Sequence, residues 1–151
     1  MTNFGHVRRI TESIGGKEYT FRSKLECRWA VWCELRKQQG YITDWWYEDP
    51  DTLLELKTSY FGNRKRYLPD FTILYPNGDY EYEEIKGYFP AKDATKIKLA
   101  AEQYENPITL IFANLKNTKS GRSQFNRAKR LEPFLKRIIW RADRDILRKI
   151  T

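Results

Sequence analysis

The segment from Tyr67 to Lys86 constrains this chain more than any other. Two stretches rich in aromatic and β-branched residues, Tyr67–Tyr75 and Asp79–Lys86, are separated only by Pro76-Asn77-Gly78 and read as an antiparallel hairpin. The register decides where its charged residues go. A two-residue Asn77-Gly78 loop sets Asp70 opposite Ile85 and sends Asp70 and Glu84 to different faces. A three-residue loop, with Pro76 and Asn77 in a type I turn and Gly78 as a left-handed bulge, pairs Tyr75 with Asp79 and Asp70 with Glu84. Alternation then places Asp70, Glu84 and Lys86 on one face and Phe71, Ile73 and Ile85 on the other. Proline suits the first turn position and glycine the last, so the three-residue register is expected.

Two carboxylates and a lysine meeting across a hairpin make a minimal site for metal-dependent phosphodiester chemistry. A hard divalent cation sits among the oxygens, and an ammonium beside it orients or activates water. The structural alternative is a cross-strand ion pair between Asp70 and Lys86, worth at most about 1 kcal/mol on an exposed sheet. Asp70, however, faces the like charge of Glu84, an arrangement that is destabilising without a cation between them. That favours metal.

The remaining composition narrows the setting. At 151 residues the chain is expected to form one domain, residues 1–151, with a core of its own. No apolar run approaches a membrane span, and no signal-peptide pattern opens the chain. Cys27 and Cys33, six apart on one expected helix, cannot bond to each other and lack a zinc spacing, so a reduced, intracellular (cytoplasmic) protein is expected. His6 is the only histidine, which argues against histidine-metal and histidine general-base mechanisms.

Charge is unevenly spread. Residues 112–151 hold 12 of the 28 basic residues and 3 of the 20 acidic ones, a net of +9, whereas residues 1–111 net −1. A basic third on a near-neutral body suits a polyanion-binding surface; a solvated helical face is the bland alternative. The candidate DNA contacts are Lys116, Lys119, Arg122, Arg127, Lys129 and Arg130, interleaved with polar residues able to reach phosphate, together with Lys57, Arg64, Lys65 and Arg66 of an expected hairpin at 51–66.

The pattern of elements predicts a hairpin around Gly15-Gly16 and a helix over 23–39 with Leu25, Trp29, Trp32 and Leu35 as its apolar residues, closed by Gly40. Strands follow at 41–47, 51–60, 65–75 and 79–86, then a helix over 91–104 and a buried strand over 108–113. One or two helices end the chain, with Pro133 in a first turn and Phe134, Leu135, Ile138 and Ile139 as the apolar stripe. This order implies an α/β fold, a mixed β-sheet flanked by helices. Tyr41, Trp45, Trp46 and Tyr47 are assigned to core or interface. Glu26 stands three residues after Ser23, as in a capping box.

Phe21-Arg22-Ser23-Lys24-Leu25-Glu26, Tyr67-Leu68-Pro69-Asp70-Phe71, Pro76-Asn77-Gly78 and Glu84-Ile85-Lys86-Gly87 together resemble the PD-(D/E)xK nuclease superfamily. Within it the order and spacing are most similar to the bacteriophage endonuclease I group of Holliday-junction resolvases, over roughly residues 20–90. Small homing and restriction endonucleases share this core. The resemblance implies a restriction-endonuclease-like fold, with Asp70, Glu84 and the Ile85 carbonyl holding Mg²⁺ or Mn²⁺. It implies that Lys86 positions water and stabilises developing charge, and that Glu26 binds through water or a second metal. It also implies double-stranded or branched DNA as substrate and a homo-oligomer, with each site cutting one strand. A sequence-specific homing or restriction-type endonuclease is the alternative, and a non-catalytic nucleic-acid-binding protein a third reading.

Overall fold

The computed structural model describes residues 9–57 and 65–150. The chain begins with a hairpin, β1 (Ile10–Ile14) and β2 (Lys17–Phe21), turned through Gly15 and Gly16 at φ +59° and +82°. Ser23 then caps α1 (Lys24–Gln38), its Oγ accepting the Glu26 amide at 3.1 Å. Gly40, at φ +82°, follows the helix end.

The buried face of α1 includes more than its expected apolar residues: Trp29 is fully buried and Leu25 and Trp32 pack against the core, but charged residues join them. Glu26, Trp29, Ala30, Cys33 and Arg36 are the buried positions, while Leu25, Trp32 and Leu35 are only partly covered. The reason is a buried ion pair: Arg36 donates to both oxygens of Glu83 at 2.9 and 2.7 Å, and Trp29 Nε1 donates to the same carboxylate at 2.8 Å. A charged residue paired this way turns inward, which an apolar count cannot register.

After α1 come β3 (Asp44–Tyr47), a 3₁₀ turn at Pro50–Thr52, and β4 (Leu54–Leu56). β5 (Lys65–Tyr67) pairs antiparallel with β4 in a small sheet of its own. The single strand expected over 65–75 is therefore two strands in two sheets, interrupted at Leu68, Pro69 and Asp70. Proline offers no amide hydrogen to a ladder, and the chain changes direction there. The rest of the expected 51–60 strand, the hairpin tip with Arg64, and His6 lie outside the described residues.

β6 (Phe71–Leu74) and β7 (Tyr80–Lys86) form the expected hairpin in the three-residue register: Phe71 pairs with Glu83 and Leu74 with Tyr80. The Tyr75 amide donates to Asp79 O and the Gly78 amide to Tyr75 O, both at 2.9 Å, with Gly78 at φ +91°. α2 (Ala91–Gln103) leads into β8 (Ile108–Phe112), buried at every position as suits a strand covered on both faces.

The C-terminal segment departs from expectation. After α3 (Arg122–Lys129) and a 3₁₀ turn at Glu132–Phe134, Arg137–Ile139 is a strand, β9, parallel to β8. Ile138 and Ile139 belong to this sheet edge and not to a helix stripe: two adjacent β-branched residues met an open parallel edge. A short helix α4 (Ala142–Asp145) and a final 3₁₀ turn, Leu147–Lys149, close the fold.

The five-stranded sheet has the order β9-β8-β7-β6-β3, with β9, β8 and β7 parallel and β6 and β3 antiparallel to their neighbours. Phe71, Ile73, Ile85 and Ile111 pack on one side with α1; Tyr82, Leu110 and Phe112 pack on the other against α2 and α3. The mixed sheet flanked by helices is the expected α/β architecture. Among the described residues no helix is long and apolar enough to cross a membrane.

Candidate active site

Asp70 sits on the bend just before β6, at the point where the hairpin ladder ends. Its Oδ2 accepts the Ile85 amide at 2.8 Å, and its own amide donates to Glu84 Oε1 at 3.2 Å. The Glu84 carboxylate is thus tied to the backbone of Asp70, and the Asp70 carboxylate to the amide of Ile85, the residue after Glu84. The register places Glu84 and Lys86 on the same face of β7, and Lys86 Nζ lies 3.2 Å from Glu84 Oε2. Tyr67 hydroxyl, brought in by β5, donates to Glu84 Oε1 at 2.8 Å.

Glu26 reaches the same place from the other side of the sheet's end. Its carboxylate does not complete a capping box. Oε1 accepts from the Arg22 amide at 3.0 Å and the Tyr47 hydroxyl at 3.0 Å, and Oε2 receives Arg22 Nη2 at 3.1 Å. Asp70, Glu26 and Glu84 are 3%, 4% and 5% exposed, yet all line an open cleft of about 750 Å³. Ile85, Lys86, Gly87, Arg66, Glu48, Asp93 and Lys96 complete much of its wall.

Burial is the main force on the acids. It pushes the Asp70 carboxyl well above its ordinary range, with the nearby charge of Glu84 adding to the effect and the Ile85 amide opposing it. Burial also raises Glu84, against the pull of the Lys86 ammonium and the Tyr67 hydroxyl. Lys86 is partly desolvated, but Glu84 and Asp93 outweigh that and hold it more firmly protonated. It is therefore an ammonium that donates, not a base. Burial and the charges of Glu26 and Glu48 raise the Tyr47 hydroxyl, keeping it a donor.

Among the described residues no group of three or more acidic, histidine or cysteine side chains is arranged to hold a metal ion as it stands. Where three carboxylates do converge, on Asp70, Glu26 and Glu48, a nitrogen of Arg22 occupies the common point. The donor set itself suits a hard cation. It is all oxygen, and the paired acids Asp70 and Glu84 carry mutual repulsion that a cation would relieve.

The expected nucleic-acid contacts divide by position. Arg66 opens into the cleft. Lys57 is tied to the end of α2, its amide and carbonyl both bonded to the Gln103 side chain at 2.8 Å. Lys65 lies in β5, and Arg64 falls outside the described residues. Lys116, Lys119, Arg122, Lys129 and Arg130 are exposed, with Lys129 paired to Glu132 at 2.7 Å. Arg127 donates to Phe89 O at 2.7 Å, and Gln124 accepts the Phe89 amide at 2.7 Å, so α3 is latched to the segment just beyond Lys86. Arg127, Arg130 and Lys98 line a second groove of about 300 Å³ on the far side of α2.

Arg22, Tyr47, Glu48, Tyr67 and Asp93 join the site without standing out in the sequence as site residues. Tyr47, expected in core or interface, packs its ring against Phe21 and Phe71 of the core while its hydroxyl meets Glu26. Arg22 stands inside the Phe21–Glu26 stretch and Asp93 only seven residues after Lys86, but Arg22 meets Asp70, and Tyr67 meets Glu84, only through the fold. No protein-family model, curated protein or solved structure matches this chain.

Proposed function

We propose that this protein is a divalent-metal-dependent DNA endonuclease of the PD-(D/E)xK kind, acting on branched or double-stranded DNA. The observation that carries the reading is the convergence of Asp70 and Glu84, joined by the Asp70 amide to Glu84 and the Ile85 amide to Asp70, with Lys86 on the same face at the mouth of an open cleft.

Asp70, Glu84, the Ile85 carbonyl and Glu26 are the residues that would hold Mg²⁺ or Mn²⁺. The ion, when bound, supplies positive charge at the scissile phosphate and lowers the pKa of its water. Lys86 contributes a fixed ammonium aimed into the cleft, anchored by Glu84 and Asp93, where it donates to water or to an oxygen gaining charge in the transition state. Tyr67 holds Glu84 in its rotamer. Arg66 and Lys96 flank the cleft and suit the flanking phosphates, and the basic face of α3 extends the positive surface beyond α2. A dimer, with one cut per site, accounts for cleavage of both strands.

The test offers a four-way junction and a matched linear duplex to the protein with Mg²⁺ or with EDTA. Cutting of the junction that needs Mg²⁺ and vanishes in Lys86→Ala supports the reading. Cutting of one defined duplex site alone moves it to the homing or restriction type. Cleavage indifferent to both EDTA and Lys86→Ala, or no cleavage of any DNA, overturns it.

A further inference from the structure

Two of the acids assigned to metal binding are already engaged. Arg22 Nη2 lies 2.8 Å from Asp70 Oδ1, 3.1 Å from Glu26 Oε2 and 3.0 Å from Glu48 Oε2. One nitrogen thus meets carboxylates from three separate parts of the chain. We propose that the Arg22 guanidinium is a built-in counter-cation of this site, and that a divalent ion must displace it from Asp70 and Glu26 to bind. The inference rests on the metal-site reading above.

The arrangement follows from the cost of burying like charges. Side chains of Asp70 and Glu26 are 5% and 6% exposed, and ionised carboxylates so placed need a positive partner to fold. Arg22 provides it. Its side chain is 49% exposed and lines the cleft, so the guanidinium enters from the solvent side and can withdraw the same way.

Glu48 marks this as a built arrangement. It holds a left-handed backbone at φ +46°, unusual outside glycine, and its amide donates to Asp70 O at 2.9 Å. The bend that carries Asp70 therefore also fixes Glu48, whose 30%-exposed side chain is the outermost of the three acids. After displacement, Glu48 remains to keep the guanidinium at the rim. Arg22 and the metal then compete for the same oxygens, and the competition weakens metal binding.

The experiment measures Mn²⁺ binding to the full chain by titration calorimetry without DNA, in wild type, Arg22→Gln and Arg22→Lys. Removing the guanidinium should tighten Mn²⁺ binding by about tenfold in Arg22→Gln. Arg22→Lys keeps the charge needed for folding but is more readily hydrated and withdrawn, so it falls between the two. Should Arg22→Gln not fold, Arg22→Lys against wild type decides the matter. Wild type binding Mn²⁺ as tightly as Arg22→Lys, or more tightly, overturns the role of Arg22 and leaves the metal site standing. No Mn²⁺ binding by any of the folded proteins overturns the metal-site reading and this inference together.

Discussion

Lys86 Nζ lies 3.0 Å from Asp93 Oδ2, so the ammonium at the end of β7 is held by the first turn of the helix that follows it. Glu84 grips the same nitrogen from the strand. Two carboxylates from different elements therefore fix a flexible side chain that is 16% exposed. A group preorganised this way stabilises developing charge without reorganising during the reaction.

Removing the ammonium and loosening it should differ in size. Lys86→Ala is expected to lower the single-turnover cleavage rate by about 10²–10³-fold, the usual cost of one transition-state donor. Asp93→Asn leaves Lys86 charged and still paired to Glu84, so a loss of roughly tenfold at most is expected. Equal losses in the two variants would show that Asp93 meets the substrate itself.

Without metal, the two buried acids should make stability depend on pH. Asp70 stands well above its ordinary 3.8, and Glu84 above its ordinary 4.5, burial being the first cause in each. The folded state then binds more protons than the unfolded chain above those ordinary values. The resulting stabilisation is full below about pH 4 and is lost as pH rises through the raised values. Asp70→Asn removes its share. In urea titrations with EDTA, its stability should therefore fall less steeply with rising pH than that of wild type. Parallel profiles would contradict the shift.

Much of this site was legible before folding because its information is local. The turn Pro76-Asn77-Gly78 sets the pairing of Phe71 with Glu83, and from that pairing the shared face of Asp70, Glu84 and Lys86 follows by alternation. Ser23 likewise announces the start of α1. The partners that finish the site are not local. Arg22 reaches Asp70 across 48 residues, and Tyr67 reaches Glu84 from β5, a strand of a different sheet, joined to β6 through Leu68, Pro69 and Asp70. Ile138 and Ile139 show the same limit: their apolar spacing fits a helix, and only the open edge of β8 makes them a strand.

The Arg36–Glu83 pair sits on the sheet face opposite Glu84 and should matter for stability alone. Glu83 is 2% exposed and takes hydrogen bonds from Arg36 and Trp29. Arg36→Met strands that carboxylate and is expected to cost about 3–5 kcal/mol in denaturant unfolding. Arg36→Met combined with Glu83→Leu removes both charges and should recover most of it, because an apolar pair of similar volume avoids desolvation. Mn²⁺ affinity should not change in the folded variants. If the double substitution is no more stable than the single one, the network's hydrogen bonds outweigh its desolvation cost.

The basic surface makes a separate prediction, read through salt. Arg66 lines the cleft that holds Asp70 and Glu84, whereas Lys98 and Arg130 line the groove beyond α2, so a duplex bound in the cleft and continuing over α2 would meet both. Each phosphate neutralised contributes about 0.9 to the slope of log affinity against log salt. Arg66→Ala and Lys98→Ala should each weaken binding to duplexes of any sequence and lower that slope by about one. Arg127→Ala acts differently, because its guanidinium holds Phe89 O at 2.7 Å and tethers α3 behind Lys86. It should reduce cleavage as well as binding. Fluorescence anisotropy across a salt series, paired with cleavage rates at saturating protein, separates the two effects. A slope unchanged in both Arg66→Ala and Lys98→Ala would place the DNA elsewhere on the molecule.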